Sequence, residues 1–111
     1  GEQAMKERQR NQLFNGKTLK SRISAIRSMR NNTYHELVPE LLKLVADASQ
    51  PLELRVNTAE CLGWFAHTPR RAEIIDACRQ AAADKNLEKE LRDELTQTAI
   101  RLESTVSVPT R

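Results

Sequence analysis

The side chains here that most readily do chemistry are His35, His67, Cys61 and Cys78, and their spacing keeps them apart. Metal binding or acid–base work needs a histidine with a carboxylate or thiol at ligand spacing, and neither histidine has one. His67 stands where a helix C-terminus is expected, and the helix dipole there is reason enough for it. The two thiols are seventeen residues apart in apolar helical settings, with no Cys-x-x-Cys and no Cys/His cluster. Buried structural thiols are expected. The alternative is a disulfide, since both are expected at similar heights on antiparallel neighbouring helices. Glu88, Glu90, Asp93 and Glu94 form a charge run of the kind that solvates a helix face. There is no Gly-x-Ser-x-Gly, no Gly-rich phosphate loop and no carboxylate pair in an apolar setting. The expectation is a protein that is no enzyme and holds neither metal nor cofactor.

A binding surface is the stronger candidate. On a helix expected over residues 52–66, Glu53, Asn57, Glu60, Trp64 and His67 recur at intervals of four, three, four and three and share one face. That face is polar except for the only Trp of the chain. A half-exposed Trp in such a row is a candidate anchor for a partner. The rival reading folds Trp64 over Phe65 or the C-terminal tail as satellite core.

The elements that must position this row are all helical. Residues 3–14 are helix-forming but weakly amphipathic, and Asn15-Gly16 ends them with residues that tolerate a left-handed backbone. Residues 18–30 follow on Leu19, Ile23, Ile26 and Met29. Thr33 and Glu36 fit a capping box for the next helix, in which Pro39 either kinks the chain or marks the first turn. Asp47 to Pro51 is a turn with Ser49 as the expected N-cap. After residues 52–66, Thr68-Pro69 signals a helix reaching to about Ala83, and residues 87–103 form the last one on Leu87, Leu91, Leu95, Ala99 and Leu102. The tail, residues 104–111, has no helical period and is expected to fray or to dock as an extended segment. Six helices and no sheet result, with Leu41, Leu44, Val45, Val56, Ala59, Leu62, Ile75 and Leu91 buried.

At 111 residues the chain is one domain. Apolar residues at 39% and charged residues at 30% are a helix-rich globular composition. No stretch approaches the length of a membrane span. The first residue is Gly and the first Met is residue 5, the beginning of a trimmed chain from which a signal peptide or an upstream domain could have been removed. Compartment is open, with the cytoplasm slightly favoured. The net charge of +3 is uneven: residues 1–30 hold eight Lys or Arg against Glu2 and Glu7, a balance of +6, and the rest hold ten basic and thirteen acidic residues, a balance of −3. A basic end can contact nucleic acid, anionic lipid or an acidic neighbour, although without interleaved aromatics it is also an ordinary solvated face.

Part of the chain reads twice at an offset of 37 residues. Asp47 and Arg55 recur as Asp84 and Arg92, Leu54 as Leu91, Phe65 as Leu102. A period of this size with two helices in it is the mark of a stacked helical repeat, in which each hairpin buries its apolar face on its neighbours. The segment from Leu37 to Asp47, followed by Leu54-Arg55-Val56-Asn57-Thr58-Ala59-Glu60-Cys61-Leu62-Gly63, resembles a HEAT repeat, and within that family the PBS-lyase HEAT-like subgroup. Pro39, Leu41, Leu42, Leu44, Asp47, Arg55, Ala59, Leu62 and Gly63 occupy the family's positions. The interval from Asp47 to Arg55 is two residues longer than usual, an insertion around Ser49-Gln50. A looser copy contains Asp84, Leu91 and Arg92, and an earlier half-copy Ser21, Arg22, Ile23, Ile26 and Met29 lies 33 residues before.

The resemblance implies an all-α superhelix of the HEAT/armadillo kind in residues 1–103. These divide into basic N-terminal helices (1–32), a best-matching repeat (33–67) and a looser one (68–103). It also implies that Asp and Arg bond across neighbouring turns. Second helices would line the concave side, placing Lys20, Ser24, Arg27 and Asn31, then the Trp64 row, then Glu90, Glu94, Gln97 and Arg101 in one shallow groove. The implied function is a monomeric scaffold that binds a protein, or another domain of its parent chain, through that groove. Nucleic acid on the basic helices and an accessory role in a larger enzyme are the alternatives.

Overall fold

The computed structural model describes residues 1–105, which form six α-helices and no strand. They are α1 (Glu2–Asn15), α2 (Leu19–Ser28), α3 (Val38–Ala46), α4 (Leu52–Leu62), α5 (Arg71–Ala82) and α6 (Lys89–Ser104), with a 3-10 turn at His35–Leu37 before α3. The expected tail lies outside the described residues from 106 onward, while Ser104 still belongs to α6.

Helix boundaries follow local chemistry, not always the chemistry expected. Thr18 caps α2 by accepting from the Ser21 N–H at 3.1 Å. Pro39 sits in the first turn of α3, where its missing N–H costs nothing. The Thr33–Glu36 capping box does not form: a 3-10 turn intervenes, and α3 starts from Leu37 without a side-chain cap. Nor does Ser49 cap α4. Its N–H and Oγ–H both donate to Asp47 Oδ1, at 2.9 and 2.6 Å, making an Asx turn, and Pro51 holds the cap position. Asp84 accepts from the Asn86 N–H at 2.9 Å in the same way. Thr68 also fails as a cap, because α5 begins only at Arg71 with Arg70 in the cap position; its hydroxyl donates back to Phe65 O at 2.8 Å. Gly16 is needed for space rather than handedness. No described residue has a positive φ, and a Cβ at Gly16 would come within 2.4 Å of Gln12 O.

Consecutive helices pair as α1–α2, α3–α4 and α5–α6, and α4 lies between α2 and α6. The slab is 17 Å deep along its shortest axis, the depth of two helix layers about 10 Å apart. One continuous core runs through it, with Leu13, Ile26, Leu41, Leu54, Leu62, Ile74 and Leu91 fully buried. Val56 and Ile75, expected inside, are only half-buried. Each follows a residue that takes the inward position, Arg55 and Ile74, and one step along a helix turns the side chain by about 100°.

Between the layers runs a column of arginines. Arg22 Nε donates to Leu13 O at 2.7 Å, and its Nη2 to Gln50 Oε1 at 3.1 Å. Arg55, 4% exposed, donates from Nε to Val45 O at 2.9 Å and from Nη1 to Glu88 Oε2 at 3.4 Å. Each thus closes a carbonyl at the end of the preceding helix, then touches the residue that leads into the next even-numbered helix. Arg92 makes only a long contact, 3.4 Å, to Lys85 O. The expected bonding between repeated Asp and Arg is not what holds these turns. The aspartates serve their own turns, and the arginines serve main-chain carbonyls.

Candidate functional site

α4 is shorter than its apolar run suggests. Gly63 is its C-cap, and a Cβ there would meet Glu60 O at 3.2 Å and Arg101 Cδ at 3.3 Å, a tight fit in which the Arg101 side chain would have to give by a few tenths of an ångström. Trp64 therefore lies beyond the helix end, in a turn closed by its N–H on Cys61 O at 3.0 Å. Trp64 is 48% exposed, while Phe65 beside it is buried in the core, and the C-terminal tail of the rival reading lies outside the described residues from 106 onward.

Trp64 is held from three sides. Its Nε1 donates to Glu60 Oε2 at 3.1 Å. Arg30 and Arg101 lie over the ring, with guanidinium carbons 5.9 and 5.7 Å from its centre, each contact stabilising by about 0.5–1 kcal/mol at an exposed site. Glu60 joins the pieces. Its Oε1 accepts from Arg30 Nε and Nη2 at 3.0 and 2.6 Å, and Arg101 Nη1 stands 3.7 Å from Oε2. The turn after α2 thereby reaches α4 through Arg30, and α6 reaches it through Arg101. Deeper in the same contact, Thr98 Oγ1 donates to Ala59 O at 2.7 Å. Glu94 stands beside the cluster; burial and then the Glu60 charge raise its carboxyl pKa above the ordinary value, against Arg101 and Arg30.

Of the residues singled out by sequence pattern, Glu60, Trp64 and Arg101 come together. Glu53 lines a neighbouring hollow with Lys20, Ser24 and Arg27. Asn57 shares their face of α4, but its Nδ2 donates to its own helix, at Glu53 O, 2.8 Å. Gln97 is exposed on α6 one turn before Arg101. His67 is exposed past the end of α4, outside the cluster, so its expected place at a helix C-terminus is not realised. Arg30 is the member that helical periodicity misses. A helical row carried back from α4 lands on Arg27 and Asn31, but α2 stops at Ser28 and Arg30 sits in the turn after it. The chain does carry a signal: Lys6–Glu36, Arg10–Glu40 and Arg30–Glu60 are all opposite charges 30 residues apart, and all three are paired.

The other residues with chemical potential are placed for structure. Cys61 and Cys78 are free and buried, with burial pushing the thiols up to about 12 and about 11. The disulfide alternative is thus not realised. Among the described residues no group of His, Cys, Asp and Glu could hold a metal ion, and no helix is long and apolar enough to cross a membrane. A hollow of about 430 Å³ opens between α3, α5 and α6 over Leu42, Val45, Ala81 and Leu87, floored by Arg55. It carries no charged group except Arg55, already bonded to Val45 O, and Asp84 of the Asx turn.

Comparison with family models, with curated proteins and with solved structures found no match to the chain.

Proposed function

We propose that this is a HEAT-like helical repeat scaffold with no catalytic role. It binds a protein segment, or another domain of its parent chain, across the face made by α2, α4 and α6. In this reading the three hairpins stack in a right-handed superhelical sense and that face is its concave side. The arginine column supports the repeat, because Arg22 and Arg55 repeat the same two contacts one hairpin apart.

The observation that carries the binding role is Trp64. A large aromatic left 48% exposed is costly to solvate, and this one is fixed by Glu60, Arg30 and Arg101 before any partner arrives. Such an anchor has little conformational freedom left to lose on binding, and central aromatics dominate interface energetics. The nucleic-acid alternative loses support at the N-terminus. Lys6 and Arg10, two of its basic residues, are held by Glu36 and Glu40 at 3.2 and 2.5 Å.

The test is a titration of the protein that copurifies with the chain, using two variants. Trp64→Ala is expected to weaken binding by about 2 kcal/mol or more, while joint reversal of Lys6, Arg8 and Arg10 to Glu leaves a protein partner bound. Intact binding in the first variant and lost, salt-sensitive binding in the second would replace this reading with the phosphate-binding one.

A further inference from the structure

Resting on that reading of the face, we infer that its partner is an acidic, extended peptide segment. An apolar side chain of the segment enters the hollow between α2 and α4, and the segment then runs onto Trp64. The hollow has a volume of about 530 Å³; Leu19 and Ile23 form its apolar part and Lys20, Ser24, Arg27 and Glu53 the rest. Leu19 and Ile23 are half-buried, so the apolar surface there is incompletely covered.

Charge selects the occupant. Lys6, Arg10 and Arg30 each have a glutamate partner. Lys20 and Arg27 are exposed and have no ion-pair partner among the described residues. A carboxylate arriving at either would gain an attraction without displacing an internal one. Arg101, close to half exposed and only 3.7 Å from Glu60, is the loosest tie of the Trp64 cluster and can turn toward a third carboxylate. Hollow and cluster are joined by α2 and the turn that follows it: Lys20 is in the first turn of α2 and Arg30 lies two residues past its end at Ser28, a separation of about 15 Å, which about four or five extended residues span.

A polynucleotide fits less well. Single-strand binders stack successive bases on several aromatics, where this face offers one. A flat apolar partner is disfavoured by the cationic rim, and a basic one by Lys20 and Arg27 directly.

A displayed library of random linear peptides, selected on the immobilised 111-residue chain, tests this. Trp64 emission serves as an independent readout, since the chain has no other Trp. Enriched sequences are expected to carry two or more Asp or Glu around a Leu, Ile or Phe. Synthetic copies should shift Trp64 emission, and joint Lys20→Glu and Arg27→Glu should weaken binding at least tenfold, with Arg8→Glu as the silent control. Both positions are exposed, so unchanged circular dichroism separates lost binding from lost fold. Enriched peptides without acidic excess that still depend on Trp64 overturn this inference and leave the face-binding reading standing. Peptides indifferent to Trp64→Ala and to the double reversal overturn both. No enrichment, or oligothymidine binding that the double reversal abolishes, also overturns the acidic-peptide assignment.

Discussion

Arg55 and Arg101 belong to the second helices of successive hairpins, α4 and α6, and do opposite things. Arg55 is inside, its Nε spent on Val45 O and only the outer edge of its guanidinium reaching the exposed Glu88. Arg101 is on the open face, nearly half exposed, lying on Trp64 and loosely facing Glu60. The inner arginine has a fixed main-chain acceptor and no water to fall back on. The outer one has an aromatic, a shared carboxylate and solvent. The same side chain is thus structural cement between the layers and exchangeable surface on the open face, and what decides is whether an alternative partner is within reach.

The interior side of this contrast is sharpest in the thiols. At pH 8, groups pushed to about 12 and about 11 hold roughly a hundredfold or more less thiolate than an ordinary cysteine, and burial blocks the reagent as well. Native protein should therefore react with a maleimide or disulfide reagent at least about a hundredfold more slowly than denatured protein, which should release two thiols. Fast native labelling of both would mean that the layers separate readily; fewer than two thiols on denaturation would mean that Cys61 and Cys78 pair after all.

Next in size is Leu62→Ala, which removes a fully buried side chain at the end of α4 and is expected to cost about 2–5 kcal/mol through lost transfer energy and the cavity left. Arg55→Ala leaves the buried Val45 carbonyl without its donor and is expected to cost about 1–3 kcal/mol. Arg101→Ala, its counterpart on the open face, should cost no more than about 1 kcal/mol, the worth of its contact with the Trp64 ring, and should still weaken peptide binding. Urea melts of the three variants decide this, and equal losses for Arg55→Ala and Arg101→Ala would break the contrast.

Most of the inside is legible in the sequence. Apolar spacing locates five of the six helices, while α1, with only Leu13 buried, is legible from helix-forming residues alone; of the two readings open for Pro39, the first turn of α3 is the one realised, because burial and proline geometry act locally on the residues that show them. The outside is not. Trp64 and Arg30 both lie just past helix ends, where a helical row no longer predicts direction, so the row that contains Trp64 puts it on a helix it does not occupy. The caps mislead for a related reason. Thr33, Ser49 and Thr68 have the right chemistry, but none stands at a helix start: a 3-10 turn separates Thr33 from α3, and Pro51 and Arg70 hold the cap positions of α4 and α5. Where a helix begins is settled in three dimensions, whereas periodicity is written in one.

The smallest expected effect concerns a carboxyl on the open face. Glu94 has its pKa raised, first by burial and then by Glu60, with Glu90 adding to this and Arg101 and Arg30 opposing. A carboxyl whose folded pKa lies above its unfolded value contributes stability that is present below the unfolded pKa and lost as pH rises through the folded one. Glu40 and Asp47 are the reverse case: hydrogen bonds from Arg10 and from Ser49 lower their pKa values, so their contribution is present above the ordinary carboxylate range and lost as pH falls through the lowered values. Acid should therefore destabilise the fold, with Glu94 acting weakly against the trend. Glu94→Gln removes that opposition. The variant should be more stable than the parent at pH 7, by no more than about 0.5 kcal/mol, and the advantage should shrink toward pH 4 as the parent's Glu94 takes up its proton. Urea melts at the two pH values measure it. A variant less stable at pH 7 would show that Arg30 and Arg101 outweigh burial at Glu94, and that the face around Trp64 is a tighter ionic network than its distances indicate.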